Sequence, residues 1–339
     1  MESVTIEVPS SSANVGLGFD IWALGLGNPA LKVTYTRLRD RGSITIENRS
    51  PLPKPLGREL GYAAREALNY FRKADGISEG AHILFEDTGY PTGGLGRSGA
   101  EAVGVVMAAA IFYRNSKSAI RGVLSRDEII RFAAKGEPNE HKDNVAASTN
   151  GRFNIVYKEP YENHSGSVDF YDVPENLGIA IGYSSHQKSG GTEALREAMK
   201  QPVEQGDFIQ QTGLISAATA ALVTGNVEKF LAIVWGDRYH EPRRAAKQGY
   251  GNFSESDLHV LKRIQYDNHG IATVVSGAGP NLAFLYDRGE YSRGMEGSTP
   301  AEKAVVWAKD KGIDLLIKDT PIAKEGAYDY AQRVYGYGK

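Results

Sequence analysis

Residues 3–8 alternate apolar and polar side chains, the two-residue period of a strand with one buried face. Leu31–Thr36, Ser43–Glu47 and His82–Glu86 repeat it, separated by the Ser/Gly-rich Pro9–Gly27 and the charged, turn-rich Arg37–Gly42. Gly57–Lys73 instead sets Leu60, Ala63, Ala67, Tyr70 and Phe71 at helical spacing, and Ala100–Tyr113 is apolar almost throughout, which predicts a buried helix. Ser125-Arg-Asp-Glu128 is a capping box that opens a helix reaching about Lys135. Gly136–Asn150 reads as a loop rich in charge and amides, Arg152–Tyr157 as a strand, and the polar Lys158–Ser167 marks a change of pattern. Beyond it, strands at Leu177–Tyr183, Ile271–Ser276 and Leu282–Tyr286 interleave with helices at Thr192–Lys200, Phe208–Thr224, Val227–Trp235, Glu255–Gln265 and Ala301–Lys311. The mixture predicts an α+β protein of two domains, 1–160 and 161–339.

Composition narrows the chemistry. The 339 residues include no cysteine, which removes disulfides, thiolate nucleophiles, thiolate zinc sites and iron–sulfur clusters. A net charge of -2 gives no bulk attraction to nucleic acid or an anionic membrane, so any anion site must be local. The start Met1-Glu-Ser-Val lacks a basic leader, and no run reaches the ~18 apolar residues of a membrane span, so secretion and membrane insertion are disfavoured and a cytoplasmic location is expected. The unusual count is 39 glycines.

Three glycine segments hold the candidate chemistry. Pro91-Thr-Gly-Gly94-Leu95-Gly96-Arg97-Ser98-Gly99 runs directly into the buried helix, and glycine backbone ahead of a helix N-terminus suits phosphate, with the Ser98 hydroxyl as a further oxygen ligand. It lacks the Gly-Lys-Ser/Thr of a Walker A loop and the spaced glycines of dinucleotide folds. Pro9-Ser-Ser-Ser12-Ala-Asn14-Val-Gly-Leu-Gly-Phe19-Asp20 crowds hydroxyls, an amide and a carboxylate around two glycines, and Ser276-Gly277-Ala-Gly279-Pro280 joins two apolar segments, by itself a hairpin turn.

These three segments, in this order, resemble the three motifs of the GHMP kinases, and the first is most similar to the homoserine kinase branch. His141-Lys-Asp143-Asn144-Val-Ala, Thr192-Glu-Ala-Leu-Arg196 and Asp237-Arg-Tyr-His240-Glu241-Pro242-Arg243-Arg244 resemble further motifs of that branch. The resemblance spans residues 4 to 286. It implies the two-domain GHMP kinase fold, a ribosomal-protein-S5-domain-2-like domain carrying the ATP and magnesium site followed by a ferredoxin-like domain. By the same resemblance, ATP lies on Pro91, Gly93, Gly94, Leu95, Gly96, Arg97, Ser98 and Gly99. Ser98 and Glu137 hold Mg2+, with Glu140 a rival to Glu137. Asp143 and Asn144 serve the chemical step, with Arg97, a departure from the family motif, beside them; Ser276, Gly277 and Gly279 support the phosphate site, and Ser12, Asn14, Asp20, His141, Arg196 and Arg244 line the acceptor pocket. A homodimer is expected.

The acceptor is read from departures. Arg97 replaces a serine of the second motif, Lys142 replaces a proline, and Lys188 and Arg243 add positive charge beside the acceptor segments. A guanidinium near the transferred phosphate is costly unless it meets negative charge, so the cluster predicts an acceptor already phosphorylated. Among relatives this favours mevalonate 3-phosphate, phosphorylated at its 5-hydroxyl in isoprenoid biosynthesis, with homoserine as the alternative. A decarboxylase of the same superfamily and a non-catalytic nucleotide-binding protein complete the set. If Arg97 only neutralises ATP phosphates, a phosphorylated acceptor is not required.

Overall fold

The computed structural model describes residues 2–49, 61–87, 93–114, 122–158, 167–184, 202–237, 239–243, 262–263, 266–267, 270–289 and 315–338. They form two compact units. The first is Met1–Ser11, Asp20–Phe170 and Ala323–Lys339, and the second is Ser12–Phe19 and Tyr171–Ile322. The break falls at 170/171 instead of 160, and the chain crosses between units near both ends. The helices expected at Thr192–Lys200 and Ala301–Lys311, and most of Glu255–Gln265, lie outside the described residues.

The first unit is built on a six-stranded sheet. Its strands are β1 (Ser3–Ala13), β2 (Trp22–Arg41), β3 (Ile44–Asn48), β4 (Glu79–Asp87), β5 (Phe153–Tyr157) and β6 (Ser167–Tyr171), in the order β3-β4-β2-β5-β6 with β1 paired to β2. β2 and β4 run antiparallel, β3 and β4 parallel. Val4, Ile6 and Val8 face the core as the alternation predicts, but β1 does not end at Pro9. It continues through three buried serines, because Ser11 and Ser12 find side-chain partners inside the protein and need no water. The charged run after Thr36 is likewise the outer end of β2, which bulges between Leu38 and Arg41.

Helices α1 (Tyr62–Ala74), α2 (Arg97–Arg114), α3 (Arg126–Ala134) and α4 (Asp143–Asn150) complete this unit, and the capping box at Ser125 is present with both of its bonds. α4 occupies the segment expected to be a loop. Its Ser, Thr and Asn side chains are poor helix formers, yet Val145, Ala146 and Ala147 are buried and Thr149 Oγ1 donates back to the Val145 carbonyl (2.8 Å). Packing overrides propensity here.

The stretch after Ala323 closes the first unit. Helix α7 (Ala327–Tyr335) packs on α2 and α4. Arg114 donates to the carbonyls of Tyr335 (3.2 Å) and Gly336 (3.0 Å), and Asp329 accepts from Arg126, from Arg152 Nη1 (3.0 Å) and from the Gly326 N–H (3.2 Å). Burial alone would raise the Asp329 pKa. The bonds from Arg126 and Gly326 and the charges of both arginines outweigh it and hold the carboxyl below its ordinary value. A carboxylate whose folded pKa is depressed contributes stability above its unfolded value near pH ~3.9, and loses it as pH falls through the folded value. Asp329→Asn is therefore expected to cost roughly 2 kcal/mol in urea denaturation at pH 7. Its deficit should narrow below about pH 4. A deficit of the same size at pH 3 would remove the charge from the explanation.

The second unit has a four-stranded antiparallel sheet, β7 (Leu177–Ser184), β8 (Ala272–Val275), β9 (Leu282–Asp287) and β10 (Leu315–Thr320), in the order β10-β7-β9-β8. Helices α5 (Gln205–Val223) and α6 (Val227–Val234) accompany it, and α6 lies against β8 and β9. The α+β class predicted from the pattern holds in both units. Among the described residues no helix is long and apolar enough to cross a membrane.

Candidate active site

In the first unit the second glycine segment opens α2. Gly93, Gly94 and Gly96 all take positive φ, Leu95 between them is buried, and the Gly96 carbonyl accepts the first helical bond from Ala100 N (2.9 Å). Ser98 stands exposed on the first turn, which contains no acidic residue. N–H groups of a first turn have no partner within the helix and carry its positive end, so the geometry suits an anion. The loop rests on Ser11, whose N–H donates to the Leu95 carbonyl (3.2 Å) and whose Oγ donates to Asn144 Oδ1 (2.8 Å). A Cβ on Gly96 would lie 1.9 Å from Ser11 Oγ and 2.6 Å from Asn144 Oδ1, at φ +62°, so only glycine fits. Ser11 was not among the expected site residues. The signal that could have found it is a run of three serines in a segment flanked by apolar residues. Pro91 lies outside the described residues.

Arg97 is where the structure corrects the sequence reading. Its Nη1 is 2.9 Å from Asp87 at the end of β4, its Nε donates to Glu101 (2.9 Å), and its Nη2 donates to Asn48 at the end of β3 (3.3 Å). The side chains are 13% exposed for Arg97, 0% for Asp87 and 5% for Glu101. The negative charge that a guanidinium at this position requires is thus supplied by the protein. Burial pushes the Glu101 carboxyl up, and Arg97 pulls it back toward ionisation.

Asp143, 4% exposed, begins α4, and its Oδ1 accepts the Asn144 N–H (2.8 Å). Lys142 just before it is buried. Burial lowers its pKa, Asp127 and Glu140 draw it back up, and Arg131 and Lys135 oppose them. The charges acting on Lys142 therefore belong to α3 and the turn after it. His141 Nδ1 is 3.9 Å from Asp20 Oδ1, so these two expected acceptor residues do come together. Of the two metal candidates, Glu140 is engaged by Lys135 Nζ (2.5 Å), and Glu137 stands at the head of the short Pro138–Glu140 turn. Among the described residues there is no group of three or more His, Asp or Glu able to hold a metal by themselves. Magnesium fits such a setting, since it keeps waters and phosphate oxygens and needs only a carboxylate and a hydroxyl from the chain.

In the second unit the Ser12–Phe19 segment is clamped by two turns. The third glycine segment closes the β8–β9 hairpin: Ser276 N donates to the Asn281 carbonyl (2.9 Å) and Gly279 N to the Ser276 carbonyl (2.8 Å). The hairpin also binds the first motif, through Ser12 Oγ to Ser276 Oγ (2.9 Å), Asn14 Nδ2 to the Gly277 carbonyl (3.1 Å) and Gly277 N to the Ala13 carbonyl (2.8 Å). On the other side Leu17 N donates to the Val234 carbonyl (3.2 Å), and a Cβ on Gly16 would fall 1.9 Å from that same oxygen. Phe19 stacks on His240 with ring centroids 4.5 Å apart. Asp237 accepts the N–H groups of Tyr239, His240 and Glu241 and the Gln211 amide, which fixes the turn carrying them. Arg243 Nη2 donates to the Pro202 carbonyl (3.0 Å). Lys188, Arg196 and Arg244 lie outside the described residues.

Of the cations expected near the acceptor, Arg97 meets the carboxylates of Asp87 and Glu101 and Arg243 donates to the Pro202 carbonyl.

Residues 62–152 match the family described as GHMP kinases N terminal domain. The chain is 25% identical over 289 residues to the homoserine kinase of Methanococcus maripaludis, covering 83% of this chain and 87% of that one. Among solved structures, a homoserine kinase from Cytophaga hutchinsonii superposes with TM-score 0.76 at 21% identity over 96% of each chain. A mevalonate diphosphate decarboxylase from Legionella pneumophila does so at 0.66 and 14% identity, over 93% of this chain and 100% of that one. Residues 62–152 are thus similar to the GHMP kinases N terminal domain, and most of the chain's length is similar to homoserine kinases.

Proposed function

We propose that the protein is an ATP-dependent phosphotransferase whose acceptor is the hydroxyl of homoserine, a step of amino-acid biosynthesis. The observation that carries this reading is Arg97. With its guanidinium occupied by Asp87 and Glu101, Arg97 needs no phosphorylated acceptor to meet its charge, and the relatives' names favour homoserine. The isoprenoid assignment expected from the sequence is withdrawn on the same grounds.

Phosphoryl transfer asks for positioning and charge stabilisation more than for covalent chemistry by the protein. The Gly93–Gly96 loop and the first turn of α2 would cradle the ATP phosphates, and Ser98 and Glu137 would hold Mg2+, which would supply charge neutralisation at the phosphates. The acceptor oxygen attacks the γ-phosphorus, the bond to the β–γ bridging oxygen breaks, and ADP leaves. Asp143 takes or orients the hydroxyl proton, Asn144 keeps the glycine loop in place through Ser11, and Ser12, Asn14, Asp20, His141, Arg196 and Arg244 hold the acceptor. A guanidinium pair suits the homoserine carboxylate, since each offers two parallel donors.

An ADP-release assay with ATP, Mg2+ and, in turn, homoserine, mevalonate, 5-phosphomevalonate and 3-phosphomevalonate tests the assignment. Homoserine is expected to give the highest kcat/KM by at least tenfold, about the discrimination that a single well-made polar contact supplies. Preference for 3-phosphomevalonate would restore the earlier reading. CO2 release would make the protein a decarboxylase.

A further inference from the structure

A buried ion pair in the second unit has no part in the chemistry described so far. Glu241 is 0% exposed and Lys262 4%, and they are in direct contact. Glu241 Oε1 also accepts the N–H of Val275, the last residue of β8, and Lys262 Nζ donates to the Trp235 carbonyl just beyond α6 (3.1 Å). Burial pushes the Lys262 ammonium down to about 8, with Asp237 opposing that shift. Replacing a buried pair by well-packed apolar residues is often neutral for stability, so retention of one at this place calls for another account.

Its connections supply one. Val275 leads directly into Ser276 and Gly277, which bind Ser12, Ala13 and Asn14. Glu241 lies in the turn fixed by Asp237, which carries the His240 ring under Phe19, and Trp235 follows the Val234 carbonyl that receives Leu17. Both turns that clamp the Ser12–Phe19 segment are thus joined at the Glu241–Lys262 pair.

We infer that Glu241 and Lys262 are positioning residues, which hold the Ser276–Gly279 hairpin and the Asp237–Arg243 turn in register and so set the acceptor-binding geometry of Ser12 and Asn14. The inference rests on the proposed function, because it assigns Ser12 and Asn14 to the acceptor.

Single substitutions would strand a buried charge and unfold the unit, so the test uses the double variant Glu241→Leu with Lys262→Met, alongside Glu241→Gln with Lys262→Met, which removes both charges but keeps an oxygen for the Val275 N–H. In the folded Leu/Met variant the homoserine KM is expected to rise at least tenfold while the ATP KM stays within twofold, and the Gln/Met variant should recover most of the loss. A purely structural role would lower the active fraction, and with it kcat, and leave both KM values alone. Amide hydrogen exchange is followed in parallel: faster exchange in 12–19 and 271–281 with 62–87 unchanged supports positioning. Unchanged exchange in those two segments, or an unchanged homoserine KM in the folded Leu/Met variant, overturns the inference. If the unmodified protein releases no ADP with any acceptor, the functional reading fails, and the exchange data still decide whether the pair holds the two turns.

Discussion

Asp143→Asn is expected to lower kcat by at least ~100-fold, the low end for a positioned acid–base group, with little change in thermal stability. The substitution is narrow in its effect. An asparagine side-chain oxygen can still accept the Asn144 N–H as Asp143 Oδ1 does, so the start of α4 and the Ser11–Asn144 bond beneath the glycine loop are preserved. What disappears is the negative charge available to take or orient the acceptor proton. The measurement is steady-state ADP release with saturating ATP and homoserine, together with a melting curve. A near-normal kcat would reduce Asp143 to a helix-capping residue. A collapse of the melting temperature would mean that the carboxylate serves the fold.

Arg97→Ser is expected to cost about 3–5 kcal/mol of stability, the usual consequence of removing one partner from a buried ion pair. Asp87 and Glu101 are both almost inaccessible to water, so neither can be rehydrated once the guanidinium is gone. The pH dependence follows from Glu101, whose carboxyl burial already raises and Arg97 restrains. Without Arg97 its folded pKa climbs further above the unfolded value near ~4.3. A carboxyl raised in the folded state carries no penalty below its unfolded pKa, and the penalty grows with pH until the folded pKa is passed. Urea denaturation should accordingly show a smaller deficit at pH 5.5 than at pH 8. The ratio of kcat/KM for phosphorylated and unphosphorylated acceptors should stay unchanged. A stable Arg97→Ser protein that has selectively lost a phosphorylated acceptor would return Arg97 to the substrate.

The contrast between Asp143 and Arg97 shows what could be read from residue order alone. Motifs that are continuous in sequence carried their meaning with them. The glycine loop, the helix it opens and the hairpin at Ser276–Gly279 all lie where the pattern placed them, since each depends on backbone freedom and local periodicity. Arg97 depended on residues at the ends of two other strands, and no local pattern announces that Asp87 and Asn48 will meet it. The same holds for α4, whose residues favour turns and caps and become helical because seven of the eight are buried, and for β1 beyond Pro9, where serines look like loop residues until their partners are known. Ser11 was missed for that reason. Its importance lies in touching both Leu95 and Asn144, a property of the fold.

The position of α7 bears on how the protein is made. The helix that opens with the glycine loop is covered in part by Ala327–Tyr335, and Arg126 and Arg152 find their carboxylate in Asp329. During synthesis the amino-terminal sheet and its helices emerge first, then the whole of Tyr171–Ile322, and only afterwards the piece that seals the first unit. Until then, the apolar flank of α2 stays uncovered and two arginines lack their acid. The nascent amino-terminal unit therefore exposes apolar surface until residues 323–339 emerge, and a fragment ending near Phe170 lacks the part that completes its own fold.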